Sequence, residues 1–346
     1  MNTRGYVAHA ARTNLVPFEF DRRELRPHDV ALDVLFAGIC HSDIHQAREE
    51  WGPSTFPMVP GHEIIGVVSA VGADVTRFSV GSRIGVGVFI DSCRRCEHCL
   101  AGLEQYCSEG MTPTYNGYER DGTTIAFGGY SNRLVVDENY AVHVAETLDP
   151  AGAAPLLCAG ITLYSPLRHW GAGPDKKVAV IGLGGLGHMG VQFAHAMGAD
   201  TTVFSHSAAK AEDAVALGAD HFVVTSDPDV LADHESRYDI IVNATSADID
   251  LNPYLKLLSL DGTLIIVGLS GVPVTIHQHL LLEKRRSLSG SQIGGLVELQ
   301  EMMDFCGEHH ITSKVEVVNA DYINQAWDRT VASDVKYRFV IDASTF

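Results

Sequence analysis

The stretch "KKVAVIGLGGLGHMGVQFAHAMGADTTVFS", residues 176–205, constrains this chain more than any other. Val178, Ala179, Val180 and Ile181 read as a buried strand. Gly182, Gly184 and Gly187 then stand at G-x-G-x-x-G spacing, and Met189, Val191, Phe193, Ala194 and Met197 recur along a helix before a second strand, "TTVFS". The six-residue match is weak by itself. Its place between strand and helix makes it specific: the first glycine permits the tight turn, the second lets the backbone approach a pyrophosphate, and the third packs helix on strand. Gly185 and Leu186 complete the turn, and the helix N-terminus offers amide donors and partial positive charge to phosphates. A glycine turn of purely structural purpose is the alternative. Further strands, "HFVV" at 221, "YDIIVNA" at 238 and "TLIIVGL" at 263, alternate with helical stretches such as "AAKAEDAVALG". That alternation predicts a parallel, doubly wound sheet.

The N-terminal half has another rhythm. From Val30 to about Val88, short apolar runs ("VALDVLFAG", "EIIGVVSAVG", "SRIGVGVF") are broken by glycine and proline, which reads as strands with tight turns. After about residue 290, "GGLVELQEMMDFCGEH" reads as a helix and "KYRFVIDA" as a closing strand. A length of 346 residues exceeds one ordinary hydrophobic core, so two lobes are expected. With 46% hydrophobic and 20% charged residues the composition is that of an α/β protein. No apolar run approaches the roughly 20 residues needed to span a bilayer. The N-terminus lacks the apolar core and small-residue cleavage site of a secretory signal, so a cytoplasmic location is the default expectation. A net charge of −18 argues against a nucleic-acid or anionic-membrane partner, both of which select clustered Lys and Arg.

Cofactor choice is read about twenty residues beyond the glycine turn, where an acid would bind a ribose 2′-hydroxyl. Here the second strand ends in Ser205 and no carboxylate occurs until Glu212. Hydroxyls at Ser205 and Ser207, with Lys210 as a point charge, suit a 2′-phosphate, so NADPH is favoured over NADH. The alternative is a polar loop in which Ser207 N-caps the next helix.

Seven cysteines without an export signal read as metal ligands or buried thiols rather than a disulfide framework. "CRRCEHCLAGLEQYC" sets Cys93, Cys96, Cys99 and Cys107 in one loop, the pattern of a closed, tetrahedral structural zinc site. Cys306 falls on an apolar helix position and reads as a core thiol. Cys40 in "GICHSDIHQ", Cys158 in "PLLCAGIT" and His62 with Glu63 in "GHEIIG" are further candidates. Two cysteines and a histidine form the Cys₂His set known for the catalytic zinc of alcohol dehydrogenases, but spacing alone does not join three residues so far apart.

Together these pieces resemble the zinc-dependent medium-chain alcohol dehydrogenase family. "GHEIIGVVSAVG", the four-cysteine loop, "LLCAGIT" and "GLGGLG" occur in the family's order, and the resemblance covers essentially the whole chain. Within the family, "GICHSDIHQ", "EWGPSTFPMVPGHE", "PLLCAGITLYSPL" and "GLGGLGHMGVQFAHAMGA" are similar to the cinnamyl alcohol dehydrogenase branch and its bacterial NADPH-dependent aldehyde reductases. The resemblance implies a GroES-like, mostly-β catalytic domain over residues 1–154 and 292–346, and a Rossmann cofactor domain over 155–291. It implies two zinc ions per chain, a homodimer formed through the cofactor lobes, and reversible hydride transfer between NADP(H) and aromatic, cinnamyl or aliphatic primary alcohols and aldehydes. Position by position, Cys40, His62 and Cys158 match the ligands of the catalytic zinc, and Glu63 matches an adjacent acid that coordinates zinc transiently. Asp43 matches the carboxylate that orients the ligand histidine, and Ser42 and His45 match a proton relay. Cys93, Cys96, Cys99 and Cys107 match the structural zinc ligands, and Thr162 joins the cofactor-binding set. His41 is left between a cofactor contact and simple packing, Trp51 between pocket lining and core, and Arg338 between a pyrophosphate contact and surface pairing. The pair His309 and His310 reads as a solvated helix end.

Competing readings are an NAD-dependent zinc polyol or secondary-alcohol dehydrogenase of the same superfamily, a non-catalytic zinc and nucleotide binding protein, and a zinc-free quinone reductase. Ser205 in place of an acid argues against the first. Retention of both complete metal-ligand sets, with the relay residues, argues against the other two.

Overall fold

The computed structural model describes residues 1–346, the side chain of Pro228 excepted. Two compact units divide the chain, residues 1–158 with 294–346, and residues 159–293.

The first unit is mostly β. Its hub is the ten-residue strand Asp29–Gly38, which pairs antiparallel with Ile64–Val71 along one edge. Along the other edge it pairs with Arg133–Asp137 near its start and with Arg338–Asp342 near its end. Flanked on both sides, the strand is buried at most positions, which explains its nearly continuous apolar run. Arg83–Val86 and Val142–His143 extend the sheet beyond Ile64–Val71, and Val315–Val318 extends it beyond Arg338–Asp342. The cluster of Leu15, Ile39, Ile44, Met58, Tyr130, Trp327 and Phe339 packs the N-terminal, central and C-terminal segments into one core. As the hub strand ends, Gly38 N–H donates to Glu63 O at 2.8 Å and Ile39 N–H to Phe339 O at 2.9 Å. The backbone therefore enters Cys40 clamped between the strand that follows His62 and the strand that begins at Arg338.

The second unit contains six parallel strands in the spatial order His221–Val224, Asp200–Ser205, Lys177–Ile181, Tyr238–Asn243, Leu258–Ile266, Ser287–Gly290. Counted along the chain this is 3-2-1-4-5-6, the doubly wound order expected from the strand–helix alternation. Gly182 has φ +89°, and a Cβ on Gly187 would sit 1.9 Å from Gly182 O, so turn and helix close on each other only with glycine at both positions. The helix Gly187–Ala196 follows, with Met189, Val191, Phe193 and Ala194 buried.

Candidate active site and metal clusters

Cys40 precedes the short helix His41–Ala47, and its backbone N–H donates to Asp43 Oδ2 at 3.0 Å, closing that helix's first turn. Asp43 is fully buried and turns its other oxygen to the next loop: Oδ1 accepts from Gly61 N–H at 3.1 Å and lies 3.0 Å from His62 Nδ1. A carboxylate only accepts, so Nδ1 carries the proton and Nε2 of His62 is left as a free donor atom for a metal. Cys158 ends the segment after the turn Ala154–Leu157. Ligand atoms of Cys40, His62, Glu63 and Cys158, all buried, lie within 4.8 Å of one another.

The hydrogen bond that Cys40 shares with Cys158 is the main influence pulling the Cys40 thiol well below its ordinary range. The same bond, followed by burial, pushes Cys158 well above it. Two thiols holding one proton this way are a donor set from which a divalent cation displaces the proton. Two sulfurs and an imidazole nitrogen also suit zinc in softness and number.

Glu63 has a different partner. Arg338 is 6% exposed, and its Nη2 donates to Glu63 Oε1 at 2.5 Å and Oε2 at 2.7 Å, while Nε and Nη2 donate to Ile39 O at 3.2 and 2.9 Å. Burial pushes the Glu63 carboxyl up and the Arg338 guanidinium pulls it down. A Cβ on Gly38 would lie 2.0 Å from Glu63 Oε2, so glycine at 38 is what lets this pair form against the hub strand. Arg338 thus does not pair at the surface, one of the two expectations placed on it: it is buried inside the first unit, on Glu63.

Ser42 Oγ lies 3.5 Å from Cys40 Sγ. His45, nearly one turn further along the same helix, has Nδ1 2.5 Å from Glu50 Oε2, and its ring stacks on Trp51 with centroids 4.8 Å apart. Trp51 is 45% exposed, which removes the core-packing alternative. His41 is exposed, its ring centroid 6.0 Å from that of His45. Glu50, Tyr130 and Trp327 were missed from the sequence although they complete hydrogen bonds around the cluster.

In the four-cysteine loop, ligand atoms of Cys93, Cys96, Cys99 and Cys107 also lie within 4.8 Å of one another. The Sγ–Sγ separation of 3.8 Å (Cys93–Cys99) equals, and that of 3.4 Å (Cys96–Cys99) falls a little short of, the roughly 3.8 Å edge of a tetrahedron with 2.3 Å Zn–S bonds. Backbone N–H groups of Cys93, Cys96 and Cys99 point at Cys107, Cys93 and Cys96 sulfurs at 3.3, 3.3 and 3.5 Å. The Cys99 N–H, then Ser108, holds the Cys96 thiol down at about 5. Cys99 Sγ lies 3.2 Å from Ser92 Oγ, which is 2.7 Å from Tyr140 OH. Cys306 is fully buried with Sγ 3.7 Å from Met302 Sδ, outside both clusters.

In the second unit, Gly182, Gly184, Gly185, Leu186 and Gly187 form the turn at the strand end, and Thr162 is buried on the helix Ala159–His169. Ser205 is the last residue of its strand and buried. Lys210 Nζ donates to Leu183 O at 2.7 Å, which fixes its charge beside the glycine turn. Ser207 occupies the N-cap position of the turn Ala208–Lys210, but its side chain makes no capping bond, contrary to the alternative role read for it.

A family model described as the alcohol dehydrogenase GroES-like domain matches residues 26–146, and one described as zinc-binding dehydrogenase matches residues 185–308. The NADP-dependent alcohol dehydrogenase C 1 of Mycolicibacterium smegmatis is 55% identical over 98% of this chain and 97% of its own length. The aldehyde reductase YahK of Escherichia coli K12 is 48% identical over 100% of this chain and 99% of its own. Among solved structures, a cinnamyl alcohol dehydrogenase of Sorghum bicolor superposes with a TM-score of 0.95 at 42% identity, covering 99% of this chain and 98% of that one.

Proposed function

The chain belongs to the zinc-binding alcohol dehydrogenase family, and from that premise we propose that it interconverts aldehydes and primary alcohols with NADP(H) at a zinc held by Cys40, His62 and Cys158. The observation that carries the reading is the convergence of those three donor atoms, from three distant segments, within 4.8 Å. A zinc ion bound by such a set supplies Lewis-acid polarisation of a carbonyl or alcohol oxygen. Asp43 fixes the His62 tautomer and ring direction. Arg338 ties Glu63 back, so that the resident set is the two sulfurs and the imidazole, with Glu63 in reach as an occasional fourth donor. For the proton, Ser42 stands beside Cys40. His45 keeps its proton on Nδ1 against Glu50, which leaves Nε2 to accept one from the Ser42 side and pass it to water.

The unit containing Cys40 is the catalytic domain, with boundaries near 154 and 292, and the doubly wound unit is the cofactor domain. There Gly182 to Gly187 receive the pyrophosphate, Thr162 joins them, and Ser205, Ser207 and Lys210 receive the 2′-phosphate; support comes from the strand-end placement of Ser205 and the tethering of Lys210. Cys93, Cys96, Cys99 and Cys107 hold a second, structural zinc. Substrates are aromatic, cinnamyl or aliphatic aldehydes, in keeping with the names of the relatives. A homodimer through the cofactor domain is supported by Ser287–Gly290, an end strand of its sheet, together with the exposed Leu269, Val272 and Val274. A reducing, cytoplasmic compartment is in keeping with seven cysteines, six of which stand in the two donor clusters and none in a disulfide.

An aldehyde panel assayed with both reduced cofactors tests the reading. NADPH should be oxidised faster than NADH, and Ser205→Asp should cut kcat/KM for NADPH about tenfold or more through charge repulsion. Preference for NADH in the wild type would favour the polyol or secondary-alcohol alternative.

A further inference from the structure

Asp43 does more than hold His62. Its Oδ2 accepts from the Cys40 N–H and also from Tyr130 OH at 3.0 Å, and the oxygen of Tyr130 lies 3.3 Å from Trp327 Nε1. An indole N–H donates and never accepts, so Tyr130 must accept from Trp327, and its own proton has one place to go, Asp43. Burial, then the Asp43 charge, raises the Tyr130 phenol well above its ordinary range, which keeps that proton in place. Tyr130 and Asp43 are fully buried and Trp327 is 5% exposed, so water does not compete for these bonds.

Tyr130 also grips the turn that presents His62. Its N–H donates to Pro60 O at 2.9 Å, and a Cβ on Gly61, whose φ is +103°, would lie 2.6 Å from Tyr130 Cδ1. Trp327 reaches this point from the helix Ile323–Val331, near the far end of the chain.

We propose that Tyr130 and Trp327 are positioning residues for the metal site of Cys40, His62 and Cys158, acting on His62 through Asp43. The proposal rests on the zinc reading above. Without the Tyr130 hydroxyl, Asp43 loses one of its buried donors and the Trp327 N–H is orphaned in the core, so the carboxylate, still held by the Cys40 and Gly61 N–H groups, is fixed less tightly and the ring of His62 with it.

The test is zinc release from the purified holoenzyme into excess EDTA, followed per chain. Tyr130→Phe should release the catalytic zinc about tenfold faster than wild type, the scale on which partners of a ligating histidine act. Trp327→Phe should accelerate the same release by a smaller factor and add nothing in the Tyr130→Phe background, because it works through that hydroxyl. The zinc of the four-cysteine loop should leave at its wild-type rate in every variant. Equal acceleration of both zincs would mean general loosening and overturn the proposal, as would unchanged release in Tyr130→Phe, which decides the matter even if Trp327→Phe fails to fold. A zinc content per chain that Cys158→Ser leaves unchanged would overturn the metal reading itself, and this proposal with it.

Discussion

Cys93, Cys96, Cys99 and Cys107 come from one loop and three of the four are only partly buried, whereas Cys40, His62 and Cys158 come from three distant segments and are all buried. In the loop the donors are arranged by N–H groups a few residues away, those of Cys93, Cys96 and Cys99. Around Cys40 they are arranged by the sheet: Gly38 against Glu63, Ile39 against Phe339, and Asp43 against the turn before His62. A local cluster of four thiolates closes its metal in and leaves no open position, so the energy of binding goes into stability. A cluster of three donors supplied by the packed core, as proposed for Cys40, His62 and Cys158, would be held before any metal arrives and would keep a position for substrate. On the proposed zinc reading, the metal would build the first site and the fold the second.

Substitutions at each cluster should therefore fail differently. The largest effect is expected for Cys40→Ser, which should lower kcat about a thousandfold or more, since Lewis-acid stabilisation is worth several kcal/mol and each 1.36 kcal/mol is about tenfold. Its Tm should move little, because the clamp on Gly38 and Ile39 is made by the backbone. Steady-state kinetics beside calorimetry would separate the two, and a large fall in Tm would blur the contrast. Cys96→Ser should do the reverse, lowering Tm by roughly 5 °C or more through loss of about 2 kcal/mol or more of metal-linked stability, with KM for NADPH unchanged. A variant with normal Tm would show that the loop is not stabilised by its metal. The smallest effect is expected for Ser92→Ala, which removes the hydroxyl beside Cys99 Sγ and leaves Tyr140 OH without that partner. Release of the loop zinc into a chelator should quicken by about threefold to tenfold, on the scale of one ordinary hydrogen bond. An unchanged rate would confine control of that site to its backbone N–H groups.

The same contrast explains what was legible. The four-cysteine loop and the turn Gly182–Gly187 were readable because each completes its chemistry within about fifteen residues, and periodicity set the strands Lys177–Ile181 and Asp200–Ser205 on either side of the glycine helix. Cys40, His62 and Cys158 were joined by resemblance to a family, since no spacing rule spans them. The surface alternative for Arg338 fails because its place depends on register: Val340 lies opposite Gly38, which carries the start of that strand to Glu63. The available signal was an arginine directly before the apolar run "FVI" at 339–341, which marks a charge entering the core that needs a partner. Glu50, five residues after His45, was within reach of inspection as a carboxylate near a relay imidazole. Tyr130 and Trp327 had no such signal, because an aromatic residue in a core position looks the same whether or not its polar atom is used.

Zinc counted per chain in the wild type and in Cys40→Ser tests most directly whether the packed core holds a metal distinct from that of the loop. Two equivalents falling to one, with the Tm largely kept, is the expected result. A wild type with one equivalent, or a Cys40→Ser variant that retains two, would contradict it.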